Sequence, residues 1–420
     1  MRFDSRSLLF LAVMMVAAGM SLARVLVVAT GLSKSGFTDY AIIIATGGFI
    51  SSVISFGGIE ATIKHFPRLV ANDDFTEMRQ ESHRLVRALA MRALAIGIPF
   101  AVAGLILDKH VLILMGMACL VSLSSGYSGV IASVQRALGS PASLALGTGF
   151  RAFFSFIVVS TLAFSGNLWI VIAAEVVSVV VGCIISEMII SRTILRMKLG
   201  SDRQIVDSID EPPTSHHRRD GLYVFFTYTL LAIPVYLDRV FVASNFSLDQ
   251  AAQYAILALF LTAASLLVNT VAQRVGPDAI KMALLPETRR NAYFHVIRWC
   301  SATTLAWFLA LACIALAFHF DFLPSGLQKY SIETANFFPI AILGALFCTS
   351  LLEFLFIALD LEKRMLLSAG IYVVAIAGVA GYVAFLGLDI QALLWGLVLC
   401  KVIYLALLAD GLRSSIKVQS

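Results

Sequence analysis

Seven ionisable side chains of this sequence lie in stretches too apolar to hydrate them: Arg24, Arg151, Glu175, Asp238, Arg239, Glu353 and Lys401. A charge in hydrocarbon is strongly disfavoured, so each such group needs a counter-charge, a polar cavity or an ionic ligand. The four cations, Arg24, Arg151, Arg239 and Lys401, form the candidate substrate-binding set. A guanidinium presents paired N–H donors that grip an oxyanion in bidentate fashion, and an ammonium adds a compact point charge. The carboxylates Asp238, Glu175 and Glu353 are candidates for pairing with those cations or for accepting a coupling proton.

Position along each span sharpens these roles. Arg24 lies in the outer half of the first span, about six residues at 1.5 Å each from its end, so snorkelling competes with a cavity role. Arg151 is set into the fifth span from the cytoplasmic side, and Lys401 is near the middle of the last one, where snorkelling explains it least. Glu353 lies about two turns from a cytoplasmic end, so a plain interfacial role competes with coupling. Arg92, Glu60 and Glu187 fall close enough to the interface for snorkelling to account for them. Pro234 precedes Asp238 by four residues. Proline removes an intrahelical hydrogen bond and bends a helix, which makes Pro234 a candidate hinge that aims the Asp238 carboxylate.

The elements that must hold these groups are long and apolar. The chain is 59% hydrophobic and 14% charged, with mean hydropathy +0.89. About twelve runs reach the roughly 20 residues that a helix needs to cross a bilayer. They are continuous and do not alternate, which excludes a membrane β-barrel. The expected fold is an all-α polytopic membrane protein: two parallel six-helix lobes around a central cavity, residues 1–200 and 221–420, joined by a cytoplasmic linker at 201–220. A signal-peptide-like N-terminus is read as a retained first helix, because its apolar run continues past Arg24 and has a counterpart in the second half.

That counterpart is explicit. Tyr40-Ala41-Ile42 matches Tyr254-Ala255-Ile256 at a shift of 214 residues, about half the chain. The same shift lays Arg24 on Asp238, and equivalent positions facing across a pseudo-axis predict an Arg24–Asp238 pair. Parallel repeats of this kind carry substrate between their halves. The charged stretches after the second and eighth spans are expected as basic amphipathic helices at the cytoplasmic interface or as solvated loops. With the N-terminus inside, twenty-three Lys and Arg fall in cytoplasmic segments and three outside (Lys34, Lys109 and Lys329). Both termini are therefore expected in the cytoplasm. The net charge of +5 is an orientation signal, and no nucleic-acid partner is expected. Six cysteines without CxxC spacing and scattered histidines predict no metal, and the absence of a P-loop argues against ATP hydrolysis; no cofactor is expected.

The pattern Gly31-x-Ser33 … Gly36-Phe37-x-x-Tyr40-Ala41, followed by Gly47-Gly48, Gly57-Gly58 and Phe66-Pro67-Arg68, resembles the polysaccharide repeat-unit flippases. These belong to the multidrug/oligosaccharidyl-lipid/polysaccharide exporter superfamily. The motif spans about residues 20–70, and the six-plus-six layout extends the likeness over the chain. The resemblance implies translocation of a polyprenyl-diphosphate-linked oligosaccharide across the bacterial inner membrane by alternating access, for O-antigen, lipopolysaccharide or exopolysaccharide synthesis. The implied partners are the lipid-linked oligosaccharide, membrane lipids, and polysaccharide polymerase with its chain-length machinery. The alternative is a proton- or sodium-coupled multidrug or cation exporter of the same superfamily. An enzyme is not expected, since the external loops offer no catalytic arrangement.

Overall fold

The computed structural model describes residues 5–138, 141–199, 216–284, 288–319, 325–330, 334–359 and 361–417. All regular structure in them is helical, and twelve helices are long and apolar enough to cross a membrane. The chain is thus a multi-pass membrane protein by fold, as its composition predicts. It divides into two compact units: Met1–Leu32 with Asp39–Phe225, and Ser33–Thr38 with Phe226–Ser420.

The first unit comprises α1 (Ser5–Gly31), α2 (Lys34–Ile54), α3 (Gly58–Ala71), α4 (Phe75–Ile106), α5 (His110–Ala137), α6 (Pro141–Ala163) and α7 (Leu168–Leu199). Helix α1 packs on α6, α6 on α7, and α4 and α7 on α5. The α1–α6 contact is close because Gly31 has no side chain: a Cβ there would lie 2.5 Å from the Ala163 carbonyl oxygen. The predicted second span does not run through to residue 63. Phe56 and Gly57 take positive φ values of 45° and 74°, which end α2 and turn the chain into α3. Arg92 donates to the Ile54 carbonyl at 2.6 Å and covers the Phe56 ring at 5.1 Å, so it caps this helix end. Helix α3 is strongly amphipathic and buries Phe66 and Leu69 in a cluster with Phe75, Met78 and Ile131.

The second unit comprises α8 (His216–Tyr236), α9 (Asp238–Asn245), α10 (Leu248–Leu284), α11 (Arg289–His319), α12 (Ser325–Gln328), α13 (Thr334–Cys348), a 3₁₀ turn (Thr349–Leu352), α14 (Glu353–Ala358), α15 (Glu362–Leu386) and α16 (Ile390–Lys417). Helix α10 is its axis and packs against α11, α13 and α14; Ala251–Phe260 are buried without interruption. A helix apolar all round belongs inside a bundle. The second copy departs from the first here, since α10 runs unbroken to Leu284 with no counterpart of the Phe56–Gly57 turn. Of the charged stretches expected as amphipathic helices or solvated loops, the first runs from amphipathic α3 into the beginning of α4, and the second opens α11. The linker expected at 201–220 lies outside the described residues up to 215, and its last five residues open α8. The two units divide at Phe225, within that helix.

Candidate functional site

Two clusters of matching composition occupy the two units, and each is built around one of the repeat-related tyrosines. In the first unit, Tyr40 from α2 donates to Glu175 Oε1 at 2.5 Å, and Glu175 comes from α7. The other oxygen, Oε2, is 2.9 Å from Arg24 Nη1 of α1. Arg24 Nη1 also donates to Ser155 Oγ at 2.5 Å, and Ser178 Oγ donates to the same Ser155 oxygen at 3.0 Å. Helices α1 and α2 and the distant α7 thus converge on a tyrosine–carboxylate–arginine triad.

In the second unit, Tyr254 from α10 donates to Asp238 Oδ2 at 2.7 Å. Asp238 Oδ1 accepts the Arg239 backbone N–H at 2.7 Å and lies 3.3 Å from Arg239 Nη1. The Arg239 guanidinium donates further to the Val235 and Ala258 carbonyls and to Thr262 Oγ1. Pro234 explains the placement. It lies in α8 three residues before the break at Leu237, and Asp238 opens α9, where the positive end of a helix favours a carboxylate.

The predicted Arg24–Asp238 pair is therefore corrected. Arg24 takes Glu175 and Asp238 takes Arg239 and Tyr254, each within its own unit. The repeat match was nevertheless informative, because equivalent tyrosines hold the carboxylate in both triads. The sign at the Arg24/Asp238 position is inverted, and each copy recruits its opposite charge elsewhere.

Lys401 and Glu353 form the third cluster. The 3₁₀ turn interrupts the tenth span just before Glu353, so Ser350 and Glu353 are presented together. Tyr404 donates to Glu353 Oε1 at 3.0 Å. Lys401 Nζ reaches Ser350 Oγ at 3.4 Å and is flanked by the rings of Tyr404 (4.7 Å), Phe347 (4.8 Å) and Tyr372 (5.5 Å). A cavity of about 130 Å3 opens beside it, lined by Tyr228, Ser265, Ser350, Glu353 and Lys401 among others. A smaller adjoining cavity carries Asp238, Arg239 and Thr262, and the two share Val235, Ser265, Phe347 and Tyr372 as walls.

Arg151 differs from the other charges. Nη1 donates to Ser128 Oγ at 2.9 Å and to its carbonyl at 3.4 Å, and Nη2 donates to Thr148 Oγ1 at 3.3 Å. Among the described residues it has no carboxylate at ion-pair distance. Gly182 of α7 makes room for its stem: a Cβ there would lie 2.5 Å from Arg151 Cγ. The serines, the aromatic flank of Lys401 and Tyr404 were missed by reading charges alone; the one signal for any of these partners was the tyrosine match between the halves.

No family model matches the chain, and no curated protein matches it. Solved structures do. The fold is similar to an inward-facing MATE family transporter of the MOP superfamily (TM-score 0.58, 15% identity, covering 96% of this chain and 95% of that one). It is also similar to a Vibrio cholerae MATE transporter (TM-score 0.57, 15% identity, 96% and 98%). A third similar structure is a MOP superfamily transporter from Pyrococcus furiosus, for which a reversed polarity of the binding pocket is taken to suggest a different function (TM-score 0.52, 13% identity, 100% and 98%). At these identities the likeness establishes a MATE-like two-lobe fold, in agreement with the architecture expected from the sequence.

Proposed function

We propose that this protein is a flippase that carries a polyprenyl-diphosphate-linked oligosaccharide across the bacterial inner membrane by alternating access, with both termini in the cytoplasm. The observation that carries this reading is the distribution of charge within the spans. Two of the carboxylates within the spans have an ion-pair partner of their own unit, Arg24 for Glu175 and Arg239 for Asp238, and the third, Glu353, shares its cavity with Lys401. Arg151 is left with hydroxyl, carbonyl and thiol acceptors, and among the described residues none of them is a carboxylate. A carrier of cationic drugs needs an unpaired carboxylate for its cargo, whereas an arginine without a counter-charge suits a diphosphate.

The solved relatives favour a second reading, ion-coupled export of small organic compounds, because several of them are described as multidrug transporters. The Pyrococcus transporter, with its reversed pocket polarity, supports treating the sign of the pocket as the discriminator between these two readings. The deciding experiment is Arg151→Ala in the native host, with protein level monitored by immunoblot. The flippase reading expects lipid-linked oligosaccharide to accumulate on the cytoplasmic leaflet and surface polysaccharide to fall at least tenfold, the effect of losing roughly one charge-assisted contact. Normal surface polysaccharide in both this variant and the deletion strain, with drug sensitivity in the latter, would overturn it.

A further inference from the structure

Lys401 is 2% exposed and sits near the middle of α16, where its side chain lines the cavity of the second unit. Its ammonium carries three donors, yet among the described residues its hydrogen bonding amounts to a single long contact with Ser350 Oγ at 3.4 Å. Three aromatic rings lie within 5.5 Å of it, and the rings of Tyr372 and Tyr404 are themselves 5.2 Å apart. Aromatic faces arranged around an ammonium are the chemistry of a small-cation receptor. Glu353 lines the same cavity and keeps its second carboxylate oxygen unused by any described hydrogen bond, so the receptor also has its anionic wall. The two groups share the cavity without reaching ion-pair distance of one another.

We propose that the cavity around Lys401 is a monovalent-cation site that the chain fills with its own ammonium, and that this resident charge keeps alkali ions out. A sodium ion entering beside Glu353 would meet a like charge already lodged on the aromatic faces, in surroundings where screening is weak. The exchangeable partner of Glu353 is then a proton, which converts the carboxylate to the neutral acid and needs no space of its own. Around this site the titratable groups are Tyr228 from α8, Glu353 from α14, Tyr372 from α15, and Lys401 and Tyr404 from α16. Cys400 interacts with Tyr372, and Asp238 and Arg239 line the adjoining cavity. Helices α10 and α13 contribute Ser265, Val268 and Phe347, which do not titrate. The cation preference stands on these contacts alone, and only its use as a coupling site rests on the carrier reading above.

The experiment is thermal unfolding of the purified full-length protein in detergent, at constant ionic strength, in sodium, potassium, choline or methylammonium chloride. Wild type is expected to melt at the same temperature in all four salts. Lys401→Ala vacates the aromatic site beside Glu353, and methylammonium is expected to raise its midpoint by about 2–3 °C over choline at ten- to a hundredfold its Kd. Adding Glu353→Gln to Lys401→Ala is expected to abolish that gain. A sodium-specific rise in wild type that disappears in Glu353→Gln would overturn the proposal, and so would folded Lys401→Ala that ignores methylammonium. If Lys401→Ala is not recovered folded, the wild-type and Glu353→Gln pair still decides it. Because unfolding is read without transport, failure here is distinguishable from failure of the flippase reading.

Discussion

Replacing Glu175 by glutamine isolates one charge in the first-unit triad while leaving its shape intact. Glutamine keeps the size of the side chain and an oxygen for Tyr40, but Arg24 loses its counter-charge. At the 2.9 Å separation of Arg24 Nη1 and Glu175 Oε2, the attraction at an effective dielectric of about 20 is about 6 kcal/mol before solvation. Removing one partner of a buried pair costs about 3–5 kcal/mol. The Arg24 side chain retains 17% exposure, against 5% for Glu175, so partial hydration places the loss at the lower end, about 3 kcal/mol.

For a chain of 420 residues, an unfolding entropy of about 2.1 cal/mol/K per residue converts this to a midpoint about 3 °C lower, and about twice that if the first unit melts by itself. Differential scanning fluorimetry of the purified protein at neutral pH measures it. The diagnostic step is the second substitution. Arg24→Met in the Glu175→Gln background removes the orphaned guanidinium while preserving an acceptor for Tyr40, and it is expected to recover most of the loss. The reasoning fails if Glu175→Gln melts like wild type, or if adding Arg24→Met lowers the midpoint further.

Two other outcomes follow from the same contacts. Tyr254→Phe leaves Asp238 Oδ2 without its 2.7 Å donor and is expected to lower stability by about 1.5–3 kcal/mol, the range for hydrogen bonds to charged groups, read as a lower unfolding midpoint. Gly182→Ala sets a methyl 2.5 Å from Arg151 Cγ and 3.2 Å from its Cα, so that either the arginine or the α6–α7 contact must move. Overpacking of this kind costs about 1–3 kcal/mol, and on the proposed flippase reading surface polysaccharide is expected to fall in step with Arg151→Ala. Full polysaccharide export with an unchanged melting point would show that Arg151 needs no such room.

Why part of this was legible in the sequence is a question of range. Span number and chain doubling are written locally: each crossing needs its own apolar run, and Tyr40-Ala41-Ile42 and Tyr254-Ala255-Ile256 each sit at the start of one. The partners of the charges are tertiary facts. Tyr40 meets Glu175 across 135 residues, and nothing in either neighbourhood fixes that α7 turns this face toward α2. Two breaks were hidden for a related reason. The Phe56–Gly57 turn and the 3₁₀ segment before Glu353 lie within apolar runs whose hydropathy does not change there, so a length rule reads straight through them.

The inverted Arg24/Asp238 position has a physical explanation beyond range. Opposite signs at equivalent sites invite a bond between copies, but burial is met more simply when each copy neutralises its own charge. Once both triads are neutral, they carry no preference for cargo of either sign. On the proposed carrier reading, the discriminating charge is then expected where the repeat is not followed: at Arg151, which has no carboxylate at ion-pair distance among the described residues, and at Lys401, which lines its own cavity in the second unit.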